Sequence, residues 1–348
     1  MEGQMSRTEA RRLREVAAGR RRRFGLLRTL AAWVVALAVL TAVSLPAYAG
    51  WSLTHPARRA VDDSPARLAI PFDTVEFAAD EDGVTLRGWF IPAGPSDRTV
   101  ILAHGYGGNR LEKTVKSLDL AQKLNAAGFN VLLFDFRGAG LSGGKMTSFG
   151  YYEARDVLGA VSYLRRNRAD RARHIGIMGF SMGAVAALEA AGREPALEAV
   201  IMDSPYADLP RYLSRNLSRW TGLSNGFNWL VVRSLTVIGR IPVSDVSPVR
   251  QISRMTQPIL VLYGQDDTTI PPTDSEELVQ AAHRANVTVW AASRATPSWP
   301  SGVFPADSPA SYHVASREVE KDEYDRRVVE FFAAHLGAEA SGGGTKTQ

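Results

Sequence analysis

The chain has 348 residues, of which 45% are hydrophobic and 22% are charged, as in globular proteins that bury a core. It contains no cysteine, which excludes a disulfide-stapled mini-protein, a cysteine-ligated zinc module and a cysteine nucleophile. The net charge of +5 arises in residues 1–28, which hold nine arginines and three glutamates, so the other 320 residues carry a net charge of −1. This excludes the basic folded surface of a nucleic-acid-binding domain.

The first predicted element is an uncharged run of 21 residues at 29–49, TLAAWVVALAVLTAVSLPAYA. A helix of that length is about 31 Å long and would span the ~30 Å hydrocarbon core of a bilayer. Because the arginine-rich residues 1–28 precede it, the positive-inside rule places them in the cytoplasm and the rest of the chain outside. We therefore expect a single-pass membrane protein whose anchor is this helix and whose body is extracytoplasmic.

A cleaved export signal is the alternative for the same segment. Ala47-Tyr48-Ala49 has the A-x-A form of a cleavage site and follows Pro46, which breaks helices. Arg21-Arg22-Arg23-Phe24 also loosely resembles a twin-arginine signal. The basic segment of 28 residues is long for a signal peptide, which favours the anchor. Both alternatives place the body outside the cytoplasm, whereas a buried core helix is seldom so uniformly apolar.

After a polar linker at 50–69, strand-like and helix-like segments alternate through residues 70–337. The predicted strands are residues 73–79, 84–92, 99–103, 130–136, 174–180, 199–202, 258–263 and 287–291. The predicted helices are residues 111–127, 151–164, 184–191, 273–285 and 319–336. Short apolar strands separated by helices predict an α/β fold with a mostly parallel sheet covered on both faces.

Three segments depart from this alternation. Residues 206–247 are aromatic and aliphatic with helical spacing and no strand pattern, which predicts a small helical cap over the ends of the strands. Residues 292–312 contain four prolines and form a long connection whose Trp299 and Phe304 are candidates to line a substrate pocket. Residues 338–348 are glycine-rich and are expected to be disordered.

Gly179-Phe180-Ser181-Met182-Gly183 has the form G-x-S-x-G and lies between a predicted strand and a predicted helix. This context predicts a sharp turn that exposes the Ser181 hydroxyl beside the first helical N–H groups, as a nucleophile requires. The alternative is an ordinary serine that caps the helix.

A second loop, His104-Gly105-Tyr106-Gly107-Gly108, follows another predicted strand. It is the candidate to form an oxyanion site together with the serine turn. Glycines there free the backbone to present N–H groups, and a tetrahedral oxyanion needs two such donors. We assign the N–H groups of Tyr106 and Met182 to this role, against a simple turn as the alternative. His104 is expected to be a buried residue that supports the loop.

Motif order and spacing resemble the α/β-hydrolase fold over residues 70–337. Within that fold, the chain resembles bacterial membrane-anchored or exported serine hydrolases of the serine-aminopeptidase-like (prolyl-oligopeptidase-like) branch. The further stretches that carry the resemblance are RGWFIP at 87–92, DFRGAGLSGG at 135–144, DSPY at 203–206 and GQDDTTIP at 264–271. The resemblance implies an α/β-hydrolase domain with a helical cap, preceded here by the N-terminal transmembrane helix.

The last of these stretches implies the catalytic acid, at the fourth position of a G-x-x-D-x-x-V-P pattern. That position is Asp267, with isoleucine where the pattern has valine, and Asp266 is the alternative on the same loop. Asp203 belongs to a DSPY stretch that resembles a structural turn of the family. Asp135 is expected to form an ion pair with Arg137.

The histidine must follow the acid in this fold, which leaves His283, His313 and His335. His283 and His335 lie in predicted helices, whereas His313 precedes the last helix, as the histidine does in the family. We therefore expect His313 to be the base, although the connection at 292–312 is longer than the family's.

The sequence thus predicts a serine hydrolase that cleaves carboxylic esters with apolar or lipid-like acyl groups through Ser181, Asp267 and His313. An exported peptidase of the same fold and a non-catalytic envelope protein are the alternatives. No metal or cofactor is expected, because no metal-ligand spacing is present. The G-x-G-x-x-G match at 138–143 is not followed by a helix and belongs to the family's own motif. The expected partners are the membrane and a small ester, with no nucleic acid.

Overall fold

An eight-stranded sheet forms the centre of the computed structural model, which describes residues 7–283, 286–293 and 313–337. Its strands are β1 (Asp73–Ala78), β2 (Thr85–Ile91), β3 (Arg98–Ala103), β4 (Asn130–Asp135), β5 (His174–Phe180), β6 (Leu197–Asp203), β7 (Ile259–Gly264) and β8 (Val287–Ala292). They lie in the order β1-β2-β4-β3-β5-β6-β7-β8. β2 is antiparallel to β1 and β4, and the other pairs are parallel.

Helices cover both faces of this sheet. The α-helices of the described residues are α1 (Arg7–Thr54), α2 (Ser117–Ala126), α3 (Glu153–Asn167), α4 (Met182–Ala191), α5 (Leu209–Thr221), α6 (Asn228–Val237), α7 (Pro248–Ile252), α8 (Pro272–Ala281), α9 (Ser316–Val319) and α10 (Lys321–His335). α3 and α4 contribute Val157 and Leu188 to one hydrophobic cluster, while α2 and α10 contribute Leu120 and Phe332 to the other. All six residues of β4 are buried, as expected for a strand covered on both faces. The predicted architecture is therefore confirmed.

Two predicted helices extend four or more residues beyond an observed helix end. α2 begins at Ser117 instead of residue 111, because Lys116 has a φ of 50° and Leu111 and Val115 are buried in the turns before it. α8 ends at Ala281, because the backbone of Ala282 leaves the helical region with a ψ of 79°. The prediction that His283 lies in this helix is therefore wrong, and its side chain is exposed.

Residues 206–247 contain helices and no strand, as the sequence predicts. α5 begins where the Asp208 carboxylate accepts a hydrogen bond from Arg211 N–H, and it ends at Gly222 with a φ of 69°. The buried side chains of α5 and α6 form a third hydrophobic cluster, which also includes Ala49 of α1. This helical cap is therefore packed against the N-terminal helix.

The N-terminal helix is longer than predicted. α1 has 48 residues and continues through Pro46 to Thr54, so residues 50–54 belong to the helix and not to the predicted linker. Side chains such as Trp33 and Leu40 are 70% and 64% exposed, whereas Ala49 and Thr54 are 9% and 2% exposed. Residues 22–54 are long and apolar enough to cross a membrane. The helix thus has an exposed apolar part and a terminal part that packs on the body.

The segment after α1 is also attached to the body. The Arg58 guanidinium donates hydrogen bonds to four backbone carbonyls between residues 139 and 144. Asn109 Nδ2 donates to the carbonyls of Arg59 and Ala60, at 3.2 and 2.9 Å. Thr147 N–H donates to the carbonyl of Thr54 at 2.8 Å. These bonds give α1 a defined orientation relative to the sheet.

Gly50 sets the close approach of α1 to α6. A Cβ atom at Gly50 would lie 1.9 Å from Ser234 Oγ and 3.3 Å from the carbonyl of Val231. We expect Gly50→Val to reduce the free energy of unfolding by about 1–3 kcal/mol, the usual cost of overpacking. Denaturant unfolding of the detergent-solubilised full chain measures this loss. Gly25→Val is the matched control, because nothing lies within 4 Å of its Cβ position, and an equal loss there would contradict the packing explanation.

Candidate active site

Ser181 lies at the turn between β5 and α4 with φ 53° and ψ −116°, a conformation that L-residues rarely adopt. The glycines two residues away on each side permit this turn. A Cβ at Gly179 would lie 2.2 Å from the carbonyl oxygen of Gly183, and a Cβ at Gly183 would lie 2.3 Å from that of Ala103. Ser181 N–H donates to the carbonyl of Asp203 at 2.8 Å, which ties the turn to β6. The sequence therefore holds the serine hydroxyl at the carboxyl end of the sheet.

His313 lies shortly before α9 and contacts both other predicted site residues. Its Nε2 lies 2.8 Å from Ser181 Oγ, and its Nδ1 lies 2.7 Å from Asp267 Oδ2. Because a carboxylate only accepts hydrogen bonds, Nδ1 carries the proton and Nε2 is free to accept the serine hydroxyl proton. The structure thus brings His313 into contact with Asp267, which is 46 positions away in the chain, and with Ser181, which is 132 positions away.

Asp267 is held by the loop that follows β7. Its Oδ1 accepts hydrogen bonds from the backbone N–H groups of Thr269 and Ile270, at 2.8 and 2.9 Å. Its side chain is 1% exposed, so both the carboxylate and its bond to His313 are shielded from water. Asp267, the predicted acid, is thus the carboxylate that accepts the hydrogen bond from His313 Nδ1.

The electrostatic environment of His313 favours its protonated form. Burial of the imidazole lowers its pKa, but the charge of Asp267 and the hydrogen bond to it outweigh burial and raise the pKa above its ordinary 6.5. Asp203 adds a further negative charge nearby. Burial raises the pKa of Asp203 to about 6, and its carboxylate accepts hydrogen bonds from Tyr324 Oη at 2.6 Å and Ser204 Oγ at 2.9 Å. Asp203 therefore connects β6 to α10, in keeping with the structural role expected for its turn.

The glycine loop after β3 approaches Ser181. A Cβ at Gly105 would lie 3.6 Å from the Ser181 Cβ, and Tyr106 and Met182 border the same pocket as the serine. His104 is buried beneath the loop, where its Nδ1 donates to the carbonyl of Gly105 at 2.8 Å and its Nε2 accepts from Phe136 N–H at 3.0 Å. Burial lowers the pKa of His104, which keeps it neutral. It supports the loop, as expected.

Glu112 is a site residue that sequence reasoning missed. Its Oε2 accepts a hydrogen bond from Gly105 N–H at 2.9 Å, and its side chain lines the same pocket as Ser181. The helix predicted over 111–127 includes this residue, whereas the structure places it in the turns before α2. The available signal was an acidic side chain a few residues after a glycine loop whose N–H groups need acceptors.

A cavity of about 310 Å³ opens in front of Ser181 and His313. Aromatic side chains dominate its described walls, with Leu53 of α1 beside them. These side chains are Tyr106, Phe149, Tyr206, Tyr212 and Trp220. Tyr106 also donates from its Oη to the carbonyl of Leu53 at 2.7 Å. The pocket is thus suited to an apolar group, and α1 forms part of its wall. Trp299 and Phe304, which the sequence predicts as wall residues, lie outside the described residues.

The stretch at 135–144 is structural. The prediction that Asp135 pairs with Arg137 is wrong, because Asp135 Oδ2 lies 2.6 Å from the Arg110 guanidinium, while Arg137 pairs with Asp156 and Asp82. Residues 138–143 wrap around the Asp135 carboxylate, and no helix begins at their end. Among the described residues, no group of three or more histidine, aspartate or glutamate side chains could hold a metal ion.

The chain is similar to a known protein family and to several known proteins. The family model for serine aminopeptidase, S33, matches residues 94–251. YfhR of Escherichia coli, an uncharacterized protein, is 31% identical over 217 residues, which cover 60% of this chain and 68% of YfhR. YqkD of Bacillus subtilis, also uncharacterized, is 33% identical over 206 residues, which cover 57% of this chain and 64% of YqkD, slightly less than two thirds of its length.

Among solved structures, the Pyrococcus furiosus esterase Pf2001 superimposes with a TM-score of 0.66 and 29% sequence identity, covering 82% of this chain and 99% of the esterase. The fold and the comparisons together define a serine hydrolase with the α/β-hydrolase fold and esterase-like relatives. The chain belongs to the S33 serine-aminopeptidase-like family of these hydrolases.

Glu112 provides a test of the environment of His313. We expect activity to require a neutral Nε2, as for a general base, so kcat/KM should rise with pH through the raised pKa of His313. The charge of Glu112 contributes to raising this pKa. We expect Glu112→Gln to move the inflection of the pH–rate profile to lower pH with little change in the plateau, because a glutamine oxygen can still accept from Gly105 N–H.

Glu112→Ala is the comparison variant, since it removes the acceptor as well as the charge. We expect it to lower the plateau of kcat as well, because the Gly105 amide then loses its partner. An inflection that stays unchanged in Glu112→Gln would contradict the electrostatic role.

Proposed function

We propose that this protein hydrolyses carboxylic esters, with Ser181 as nucleophile, His313 as general base and Asp267 as the acid that orients the imidazole. The supporting observation is the chain of hydrogen bonds from Ser181 Oγ through His313 to Asp267, at 2.8 and 2.7 Å, at one end of an apolar pocket. A nucleophile within hydrogen-bond reach of a base, itself held by a third group, is the arrangement that covalent acyl transfer requires.

In this mechanism His313 Nε2 takes the hydroxyl proton as Ser181 Oγ forms a bond to the carbonyl carbon of the ester. Asp267 stabilises the resulting imidazolium. The N–H groups of Tyr106 and Met182 donate to the oxyanion. The carbon–oxygen bond to the alcohol then breaks, and His313 returns its proton to the departing alkoxide. A water molecule, deprotonated by His313, then attacks the acyl-enzyme. The bond to Ser181 Oγ breaks, His313 returns the proton to Oγ, and the acid is released.

The walls of the pocket favour an apolar acyl or alkyl group. Phe149, Tyr212, Trp220 and Leu53 present mostly carbon surface, and burial of each methylene group against such a surface contributes about 0.8 kcal/mol. We therefore propose medium-chain or lipid-like esters as the substrate class.

We also propose that α1 is a permanent membrane anchor and that the body is extracytoplasmic. The helix continues without interruption through Ala47-Tyr48-Ala49, and Ala49 is 9% exposed because it packs into the cap. A protease would have to unfold this packed segment to reach the peptide bond after Ala49. Mass spectrometry of the protein from membranes tests this proposal, since the chain should be intact at that bond. A mature form beginning at Gly50 would contradict it.

An ester chain-length series tests the proposed activity. The full chain in detergent is assayed on p-nitrophenyl esters from acetate to palmitate and on aminoacyl amides. We expect hydrolysis of the esters with a preference for longer acyl groups than acetate, and covalent labelling of Ser181 by a fluorophosphonate probe. Preferential hydrolysis of the amides would instead indicate a peptidase. Absence of both labelling and hydrolysis in folded protein would favour a non-catalytic protein.

A further inference from the structure

The connection between α5 and α6 lies beside the apolar part of α1. Leu223 and Phe227 face α1 residues between 34 and 46 across a groove of about 480 Å³. Every described side chain that lines the groove is apolar except Thr41, whose hydroxyl donates to the carbonyl of Leu37 at 2.8 Å. Two distant parts of the chain thus form one continuous apolar surface.

The position of this groove along α1 corresponds to the interior of a membrane. Arg28 is the last charged residue before the apolar run. A span of about 20 residues crosses the hydrocarbon core, so a span that starts after Arg28 reaches about residue 48. Residues 34–46 therefore lie within the hydrocarbon, and the side chains of Leu223 and Phe227 lie at the same depth.

The composition of the connection fits that location. Residues 220–232 carry no charge, while Arg219 and Arg233 flank them. Ser218 Oγ lies 2.5 Å from Asn225 Oδ1 and 3.1 Å from Asn228 Oδ1. Its single proton is donated to the nearer oxygen, that of Asn225, so part of the polar surface is already paired. Uncharged segments with internally paired polar groups are those that lipid tolerates.

The neighbouring surface has the features of a membrane interface. Trp229 is 65% exposed on α6, and Tyr48 is 65% exposed on α1. α6 packs on α1 at Gly50, close to the predicted edge of the hydrocarbon. Tryptophan and tyrosine prefer the headgroup region, and flanking arginines such as Arg233 can bind lipid phosphates. Such an exposed apolar surface in water would be costly, which points to lipid as its partner.

We propose that residues 222–229 insert into the extracytoplasmic leaflet beside α1, so that the catalytic pocket receives its ester from the bilayer. Trp220, at the end of α5, and Leu53, near the end of α1, both line the pocket in front of Ser181. Residues shortly after the apolar part of α1 and shortly before residues 222–229 therefore form part of the pocket wall. This inference rests on the proposed function and on α1 as a membrane span, and it narrows the substrate to an ester whose acyl chain resides in the membrane.

The absence of cysteine allows a direct measurement of depth. Phe227→Cys carries a nitroxide spin label in the full-length protein, reconstituted in vesicles of phosphatidylcholine and phosphatidylglycerol. We expect this label to collide with oxygen, which dissolves in lipid, and to be protected from a water-soluble nickel chelate. The matched control is a label at Asp170→Cys, whose native side chain is 82% exposed just before β5, at the opposite end of the strands. It should show the reverse pattern.

A label at position 227 that is as accessible to the chelate as the control would overturn the proposal, because the segment would then lie in water. A label that neither reagent reaches would also overturn it, because protein and not lipid would then cover the segment. Neither outcome depends on catalysis, so this measurement stands apart from the test of the ester hydrolase activity.

Phe227→Asp tests the connection with the pocket. We expect at least a tenfold loss of hydrolysis for a long-chain ester embedded in vesicles. The rate on soluble p-nitrophenyl butyrate should be unchanged, since Phe227 is not among the residues that line the pocket in front of Ser181. An unchanged rate on the embedded ester, or an equal loss on both esters, would contradict access from the membrane. If the wild type cleaves neither ester, the proposed function fails, whereas the spin-label result still decides the location of the segment.

Discussion

Replacing Ser181 by alanine is expected to lower kcat for ester hydrolysis by about 10⁶-fold, the loss seen when the nucleophile of a serine–histidine–aspartate unit is removed. The physical reason is that no covalent acyl-enzyme can form without Oγ, and the remaining N–H donors only stabilise the oxyanion of a direct attack by water. The measurement is the steady-state rate on p-nitrophenyl butyrate, with fluorophosphonate labelling as a second readout. Both should vanish together.

Ser253→Ala is the matched control for that experiment. Ser253 lies on the turn after α7, and its hydroxyl donates to the carbonyl of Arg250 at 2.8 Å, away from the pocket. Its rate should remain within about twofold of the wild type, since surface substitutions of this kind change stability little. A Ser181→Ala protein that retains most of its activity would remove Ser181 from the mechanism.

Asp267→Asn is expected to lower kcat by about 10⁴-fold while leaving KM nearly unchanged. An asparagine amide at this position can donate to His313 Nδ1, which would move the proton to Nε2, the atom that faces Ser181 at 2.8 Å. The imidazole could then no longer accept the serine proton, and the imidazolium would lose its charged partner. Rates measured across pH would show this loss.

Asp266→Asn provides a closely matched comparison, because it makes the same chemical change one residue earlier on the same loop. We expect its kcat to change by no more than a few-fold, since the carboxylate of Asp267 makes the hydrogen bond to His313. Equal losses in the two variants would indicate that the charge of the loop matters more than the contact with His313. A greater loss in Asp266→Asn would show that the acid is wrongly assigned.

Much of the sheet could be predicted from local sequence. Each strand is a short apolar run bounded by turn residues, and its burial on both faces needs no information from distant segments. The conformation of Ser181 also depends on nearby residues, because the flanking glycines and the change from strand to helix all lie within residues 174–191. The order of the site residues along the chain limits the candidates for the general base to three histidines. The resemblance to the family then favours His313.

Two of the errors share a physical cause, which is that the correct structure depends on contacts between distant residues. The apolar side chains of Leu111 and Val115 have helical spacing, which predicts that α2 begins at residue 111. In the structure both side chains are buried in turns, and α2 begins at Ser117. Asp135 was paired with Arg137 by proximity in sequence, whereas the fold gives it Arg110 as a partner. Periodicity reports which side chains will be buried, but it does not report what covers them.

Local sequence encodes the apolar N-terminal helix, the strand pattern and the serine turn, because each depends on neighbouring residues and on backbone sterics. The folded chain alone shows that the end of this helix packs on the cap and forms a wall of the pocket, and that Glu112 holds the loop beside the serine. The contact of Gly50 with Ser234 and the hydrogen bond from Tyr106 to Leu53 join residues that are far apart in the chain. Such contacts form only when the folded sheet brings their elements together, and no local pattern encodes that proximity.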